Sequence, residues 1–212
     1  MKRLLKEIKT PFLVTLILFL ICGLIYPLLL TGVSQLVFAK QANGSLISIN
    51  DEIVGSSLIG QDFTDARFIK GRPSAVKYNT YTLLDKENGN YNGVGSGSNN
   101  YSTSNEELSN RVKEDIDEFL EANPSIKIGD IPTDLLTESG SGLDPHISPE
   151  SALIQVPQIA KNTNLSEDRL IEIIKLNTKE KLFGIFGEET VNILEVNLQI
   201  AQDLKLISKK NN

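Results

Sequence analysis

The chain has 212 residues, with 21 Lys and Arg, 27 Asp and Glu and one His, so its formal net charge is −6 at pH 7. An acidic chain is a poor partner for nucleic acid, because phosphate binding needs clustered Lys and Arg side chains. The single cysteine and single histidine exclude an internal disulfide and the usual zinc ligand sets.

A stretch of 28 apolar and small polar residues, 11–38, predicts a transmembrane helix. It contains no Asp, Glu, Lys, Arg or His, and its most apolar part is 12–30. A helix of that part is about 28 Å long, close to the hydrocarbon thickness of a bilayer. The run is too long for a signal peptide and lacks a small-x-small cleavage site, which predicts an uncleaved anchor in membrane lipid. Pro27 predicts a kink within it.

The charges that flank this helix predict its orientation. Four basic side chains stand before the helix within residues 1–10, whereas beyond Lys40 the next basic residue is Arg67. Because basic flanks stay in the cytoplasm, we expect residues 1–10 to be cytoplasmic and 39–212 to be extracytoplasmic.

The part after the anchor predicts one mixed α+β domain. β-Branched residues broken by glycines indicate short strands and turns between residues 46 and 60. The stretch 80–101 is rich in Asn, Gly, Ser and Tyr, which is typical of a flexible surface loop. The alternating residues 191–198 predict a strand near the C-terminus.

Three helices are predicted in this domain. The first covers residues 104–122 and is capped by Ser104 and Glu107. The second begins at Ser148, and Pro157 interrupts it. The third follows Ser166 and directs apolar side chains inward, Leu176 among them.

The densest polar segment lies between residues 131 and 150 and ends at a predicted helix start with free backbone N–H groups. Its central part, here named the motif loop (residues 139–146), contains Ser139, Gly140, Ser141, Gly142, Asp144, Pro145 and His146. Residue reasoning favours a structural loop: Gly140 and Gly142 serve positive φ or close backbone approach, and Asp144 fixes the turn.

The domain has two alternative interpretations, a hydrolase and a solute-binding domain. In a hydrolase, Ser139 or Ser141 would be the nucleophile, with His146 as base and Asp144 as its orienting group. The proline between Asp144 and His146 argues against aiming the carboxylate at the imidazole, and a G-x-S-x-G elbow is absent from the sequence. A solute-binding domain needs a pocket lined by aromatic side chains, and the chain has no Trp.

Three blocks of sequence resemble a known family. They are TESGSGLDPHISPESALIQVPQIA, GSSLIGQDFTDARFIKGRPSA and GEETVNILEVNL. Together with one N-terminal membrane helix, they resemble the C subunit of the Kdp-type potassium-transporting P-type ATPase. The second block ends on a second motif, Gly71, Arg72, Pro73 and Ser74. The chain departs from the family pattern at Glu138, at Gln158 and in the longer 80–101 loop.

The resemblance implies a non-catalytic accessory subunit of a high-affinity potassium uptake pump. Its implied partners are a channel-like subunit, a P-type ATPase subunit and a small single-helix subunit. The family is described as a catalytic chaperone that raises the affinity of the pump subunit for ATP, and its proposed nucleotide-binding glutamine falls on Gln155. An extracytoplasmic domain without a phosphate loop would meet little ATP, so residue reasoning favours a packing role for Gln155. No other cofactor is expected.

Overall fold

The computed structural model describes residues 2–90 and 93–207, with side chains from residue 7 onward. Parts of the predicted N-terminus, loop and C-terminus (1, 91–92 and 208–212) lie outside the described residues. The chain forms two compact units, Met1–Leu46 and Ile47–Asn212. Each unit is described separately.

The first unit contains the predicted membrane helix. Helix α1 (Lys2–Leu20), a π-helical turn (Ile21–Ile25) and helix α2 (Tyr26–Val37) are continuous. The stretch Glu7–Val37 has 31 residues and is long and apolar enough to cross a membrane, with no part of it buried inside the chain. A short helix, α3 (Ala39–Ala42), follows.

The π turn lies immediately before Pro27. A proline inside an α-helix lacks an N–H group and clashes with the carbonyl four residues earlier, which here belongs to Gly23. In the π turn, the N–H of Tyr26 donates to the carbonyl of Ile21, five residues back. Local π adjustments of this kind let a membrane helix continue through a proline.

The second unit contains short strands. Strands β1 (Leu46–Ile49) and β2 (Glu52–Ser56) pair across Asn50 and Asp51, whose positive φ angles of 50° and 67° suit a tight hairpin turn. A second, antiparallel sheet has the order β3-β5-β4, from β3 (His146–Ile147), β4 (Thr178–Lys179) and β5 (Thr190–Asn192).

Helices cover this second sheet and form the core with it. The helices of this unit are α4 (Leu83–Glu87), α5 (Glu106–Ala122), α6 (Pro149–Leu153), α7 (Val156–Thr163), α8 (Glu167–Leu176) and α9 (Ile193–Asp203). Buried side chains of α6, α7, α8 and α9 share one core with β3, β5 and Ile69: Ile69, Ile147, Ala152, Val156, Ile159, Leu170, Ile173, Ile174, Val191, Ile193, Val196 and Ile200. The predicted mixed α+β class is confirmed.

The strand predicted for residues 191–198 is wrong beyond Asn192. The side chain of Asn192 accepts a hydrogen bond from the backbone N–H of Glu195 and thereby starts α9. The apolar side chains that looked alternating belong to a helical stripe, and Val196 and Ile200 are fully buried at the i, i+4 spacing of a helix.

Three details of the predicted helices also need correction. Asn105, and not Ser104, caps α5, because its side chain accepts from the N–H groups of Glu107 and Leu108. Pro157 does not kink a helix; it stands in the first turn of α7, where a missing N–H costs nothing. Leu176 is 66% exposed instead of buried.

The stretch 80–101 has more structure than a free loop. Thr82 and Asp85 form a capping box at the start of α4. Farther along, the backbone N–H of Gly97 donates to the carbonyl of Ser141, at 2.8 Å. Part of this stretch is therefore hydrogen-bonded to the motif loop.

Candidate functional site

Two side-chain amides hold the backbone of Ile69 and Lys70 inside the domain. The side chain of Asn197 accepts from the N–H of Ile69 at 2.8 Å and donates to its carbonyl at 2.9 Å. Gln155 does the same for Lys70, at 2.9 and 3.2 Å. Each amide therefore supplies one donor and one acceptor to this segment, which belongs to neither of the sheets formed by the described residues. We name the pair the amide clamp.

The predicted nucleotide residue, Gln155, is thus fully engaged within the domain. Its side-chain NH2 group also donates to the carbonyl of Ser151 at 2.9 Å, and the residue is only 3% exposed. Both donor hydrogens and the acceptor oxygen have partners in the folded chain. This position fits the packing role that residue reasoning favoured.

Arg72 of the second motif lies two residues after Lys70. Its side chain is hydrogen-bonded to the segment that precedes the motif loop. Its guanidinium donates to the carbonyls of Thr137 and Glu138, both at 3.2 Å. The same group lies 3.5 Å from a carboxylate oxygen of Asp144. A planar guanidinium suits this arrangement, because it presents several donors in one fork.

Ser74 makes the next connection between the two motifs. Its hydroxyl donates to the carbonyl of Gly142 at 2.6 Å and accepts from the N–H of Tyr78 at 3.1 Å. Gly142 has a φ of 65°, and a Cβ there would stand 2.7 Å from the carbonyl oxygen of Gly97. The expectation of positive φ and close approach is confirmed for Gly142. It is wrong for Gly140, which has open space around it and no positive φ.

Tyr78 packs against the second motif and Gly60. It belongs to a left-handed turn in which residues 77–79 have φ angles of 48°, 51° and 54°. Its hydroxyl donates to the carbonyl of Arg72 at 2.8 Å, and a Cβ on Gly60 would come within 2.5 Å of its ring. Burial, helped by the negative charge of Asp144, raises the pKa of Tyr78 to about 12. The hydroxyl therefore remains protonated and keeps its donor role at physiological pH.

The polar side chains of the motif loop mainly hold its own backbone. Ser139 accepts from the N–H of Gly142 at 2.9 Å, and Ser141 accepts from the N–H of Leu143 at 3.1 Å. Among the described residues, no hydrogen bond joins either serine to His146. The nucleophile and base of the hydrolase alternative are therefore not linked in this geometry.

The carboxylate of Asp144 lies closer to the imidazole of His146 than the sequence predicts. The proline between Asp144 and His146 does not turn the carboxylate away from the imidazole: the Asp144 oxygen lies 3.4 Å from Nδ1 of His146. The same oxygen accepts from the N–H of His146 at 3.0 Å, the local turn that an Asp favours two residues before its donor. Burial raises the pKa of Asp144, but the hydrogen bonds from His146 and the nearby charges outweigh burial and leave the pKa below its usual value.

Side chains satisfy part of the backbone at the start of α6. The hydroxyl of Ser148 caps the N–H of Ser151, and the carboxylate of Asp134 accepts from the N–H of Ser148 at 2.7 Å. Asp134 also accepts from the hydroxyl of Ser151. The N–H groups of Ser148 and Ser151, at this predicted helix start, therefore already have partners.

Glu138 is a position where the chain departs from the family pattern. It connects the segment before the motif loop to the 80–101 stretch and to α5. Its carboxylate accepts from the backbone and side-chain N–H groups of Asn99, at 3.2 and 3.0 Å. It also lies 3.7 Å from the guanidinium of Arg111 on α5. Arg111 in turn donates to the carbonyl of Leu136 at 3.2 Å, so this departure has local compensating contacts.

A cavity of about 330 Å³ lies beside the amide clamp. Its lining combines charged, aromatic and polar side chains from residues 62–78, from α5, and from Leu135 and Gln155: Asp62, Phe63, Thr64, Lys70, Gly71, Arg72, Pro73, Tyr78, Asp115, Glu118, Phe119, Leu135 and Gln155. Burial raises the pKa of Asp115 on this wall. The sequence did not predict this aromatic lining, because Phe63, Tyr78 and Phe119 all lie outside the 80–101 stretch.

The structure therefore brings together the second motif (71–74) and the motif loop (139–146), which the sequence had indicated separately. The sequence did not predict that Asn197, Asp134 and Tyr78 hold the segments around these two motifs through hydrogen bonds. Asn197 had a detectable signal, because a polar side chain stands there within an otherwise apolar helical stripe.

The described residues contain one helix long and apolar enough to span a membrane, followed by a mixed α+β domain, which is consistent with the class of membrane-anchored subunits. Residues 8–202 match the family described as KdpC, the c chain of the K+-transporting ATPase. The chain therefore belongs to the KdpC family.

Named relatives extend this match over nearly the whole chain. The potassium-transporting ATPase KdpC subunit of Clostridium kluyveri is 66% identical over 205 residues, which cover 97% of this chain and 98% of the relative. The subunit of the same name from Clostridioides difficile is 56% identical, covering 95% of this chain and 100% of the relative. That of Caldanaerobacter subterraneus is 41% identical, covering 94% and 97%.

The charge of Asp144 makes a testable contribution to stability. We expect Asp144→Asn to lower the free energy of unfolding by about 1 kcal/mol at neutral pH, through weakened charge-assisted hydrogen bonds. Because the folded pKa is below the unfolded value, this contribution is complete above the unfolded pKa and disappears as pH falls through the folded pKa. Urea unfolding of the detergent-solubilised chain, followed by circular dichroism, measures both effects.

The exposed Asp130→Asn variant controls for removal of one acidic charge from the same domain. A difference between wild type and Asp144→Asn that persists or widens in acid would contradict the assignment.

Proposed function

We propose that this chain is a non-catalytic accessory subunit of an ATP-driven, high-affinity potassium uptake pump. It assembles with a channel-like subunit, a P-type ATPase subunit and a small single-helix subunit. The observation that carries the proposal is the match over residues 8–202 to the c chain of the K+-transporting ATPase. The motif loop supports a structural role, because the side chains of Ser139, Ser141 and Asp144 hold its own backbone.

The membrane helix is the first proposed contact with these subunits. Its apolar side chains are uncovered along Glu7–Val37. Lipid alone can surround such a helix, so association needs close packing and hydrogen bonds with neighbouring helices. Small and polar side chains at Gly23, Thr31 and Ser34 offer both.

Replacing residues 11–38 by an unrelated membrane helix tests this contact. We expect loss of co-purification with the other subunits and loss of potassium-dependent ATPase activity, because the replacement removes the packing surface and keeps the anchor. The matched control carries the corresponding segment of the Clostridium kluyveri relative and should retain both. If the unrelated helix also retains both, the segment is only a tether.

We also propose that the α+β domain is extracytoplasmic. The support is the excess of basic residues before the span and of acidic residues after it. A protease-cleavable tag inserted after Ser45 is expected to be cut from outside intact cells, whereas the same tag at the N-terminus should be protected. Protection of the first tag together with cleavage of the second would reverse the orientation.

The effect on ATP affinity is proposed to act through assembly and not through a nucleotide contact by Gln155. The support is the burial of Gln155 and the engagement of its whole amide by Lys70 and Ser151. A nucleotide could bond this amide only after the clamp opened, which would leave buried backbone groups without partners at about 1–3 kcal/mol each.

Asn197 provides a matched control for Gln155, since it clamps the adjacent residue in the same way. We expect Gln155→Ala and Asn197→Ala each to lower the free energy of unfolding by about 2–4 kcal/mol, through two unsatisfied backbone groups. In assembled complexes, both variants should change the ATP concentration for half-maximal activity to the same extent. A change confined to Gln155→Ala would instead establish direct nucleotide contact.

A further inference from the structure

A hairpin turn between β4 and β5 exposes an unusual set of side chains. Leu182 and Phe186 exchange two backbone hydrogen bonds, at 2.8 and 3.0 Å. Within this pair, the β-turn 182–185 is closed by a hydrogen bond from the N–H of Ile185 to the carbonyl of Leu182 at 3.2 Å, and its two central residues have φ angles of 55° at Phe183 and 71° at Gly184. Positive φ at both central residues is a feature of a type I′ turn. We name residues 182–186 the apolar hairpin.

The side chains of this hairpin are directed into solvent. Phe183 is 84% exposed and Ile185 75%, while Leu182 and Phe186 are 63% and 64% exposed. Asn, Asp or Gly would fit such a turn without the steric cost that a bulky aromatic residue has at positive φ. The sequence thus places a large apolar side chain where neither turn geometry nor the core of this domain requires one.

The charges beside the hairpin help to identify its partner. Glu180, Glu188 and Glu189 flank it together with Lys179 and Lys181, so carboxylates outnumber ammonium groups. Lys181 lies 3.8 Å from Glu188. Elements that enter a lipid interface usually have Lys and Arg around their apolar side chains, because lipid headgroups carry phosphate. An apolar centre with a polar rim of both signs is typical of a protein–protein interface.

We propose that the apolar hairpin is a docking element that inserts Phe183 and Ile185 into an apolar recess on another subunit of the ATPase. The recess has basic side chains at its edge, complementary to the carboxylates beside the hairpin. This rests on the proposed function, which supplies the partner subunits. Phe183 and Ile185 are the anchors, since buried large side chains carry most of the binding energy of an interface.

The first test compares two pairs of exposed apolar residues in the full chain, expressed with the rest of the complex. In Phe183→Gln/Ile185→Gln, the fraction of chain retained on a tagged P-type subunit after dilution in detergent should fall about tenfold. Leu83→Gln/Leu84→Gln is the matched control, because these side chains are 78% and 63% exposed on α4. The control should be retained like wild type.

The second test asks whether lipid is the occupant. The chain contains no tryptophan, so Phe183→Trp introduces a single fluorescent reporter at the tip of the hairpin. The full chain alone is reconstituted into phosphatidylcholine–phosphatidylglycerol vesicles that contain brominated acyl chains. We expect no quenching, because the tip remains in water until a partner subunit covers it.

Loss of retention without quenching supports the proposal. Quenching by the brominated lipid would overturn it in favour of a membrane contact. Retention equal to wild type would also overturn it. In that case the accessory role would still be tested separately by the replacement of residues 11–38, because that replacement leaves the hairpin unchanged.

Discussion

The α+β domain depends on how two adjacent residues, buried Ile69 and half-buried Lys70, satisfy their backbone hydrogen bonds. Ile69 is 1% exposed and belongs to neither of the sheets formed by the described residues; Asn197 from α9 and Gln155 at the start of α7 supply amides to it and to Lys70. Without the clamp, four backbone groups would lose these partners, at about 1–3 kcal/mol for each group that stays buried. The clamp therefore joins the helical core to the extended segment that leads into the second motif.

The position of this segment determines how the two motifs meet. Arg72 follows the clamped residues directly and reaches the carbonyls before the motif loop, while Ser74 reaches Gly142 within it. These contacts place basic, hydroxyl and carboxylate groups close together. The same residue types, seen in the sequence alone, suggest a reactive site. In the structure, most of these groups hold backbone atoms. The second motif and the motif loop thus form a structural junction within the α+β domain.

The exposed apolar surfaces of the chain indicate where it associates with other molecules. The stretch Glu7–Val37 and the apolar hairpin each expose large apolar side chains that contribute little to the folding of this chain alone. Membership in a family of transporter subunits gives such surfaces a physical explanation. The folded domain is stabilised by its own core, and the exposed apolar side chains remain available for association.

The sequence by itself determined the features that depend on local chemistry. The apolar run, the caps at Ser148 and Ser166 and the mixed α+β class could all be predicted, because bilayer length, capping and periodicity act over neighbouring residues. Only the tertiary structure decided which contacts form across long distances. It placed Gln155 against Lys70, 85 positions away, and Asn197 against Ile69, 128 positions away. An amide side chain has no local signal for its partner, because its hydrogen bonds depend on which backbone the folded core brings beside it.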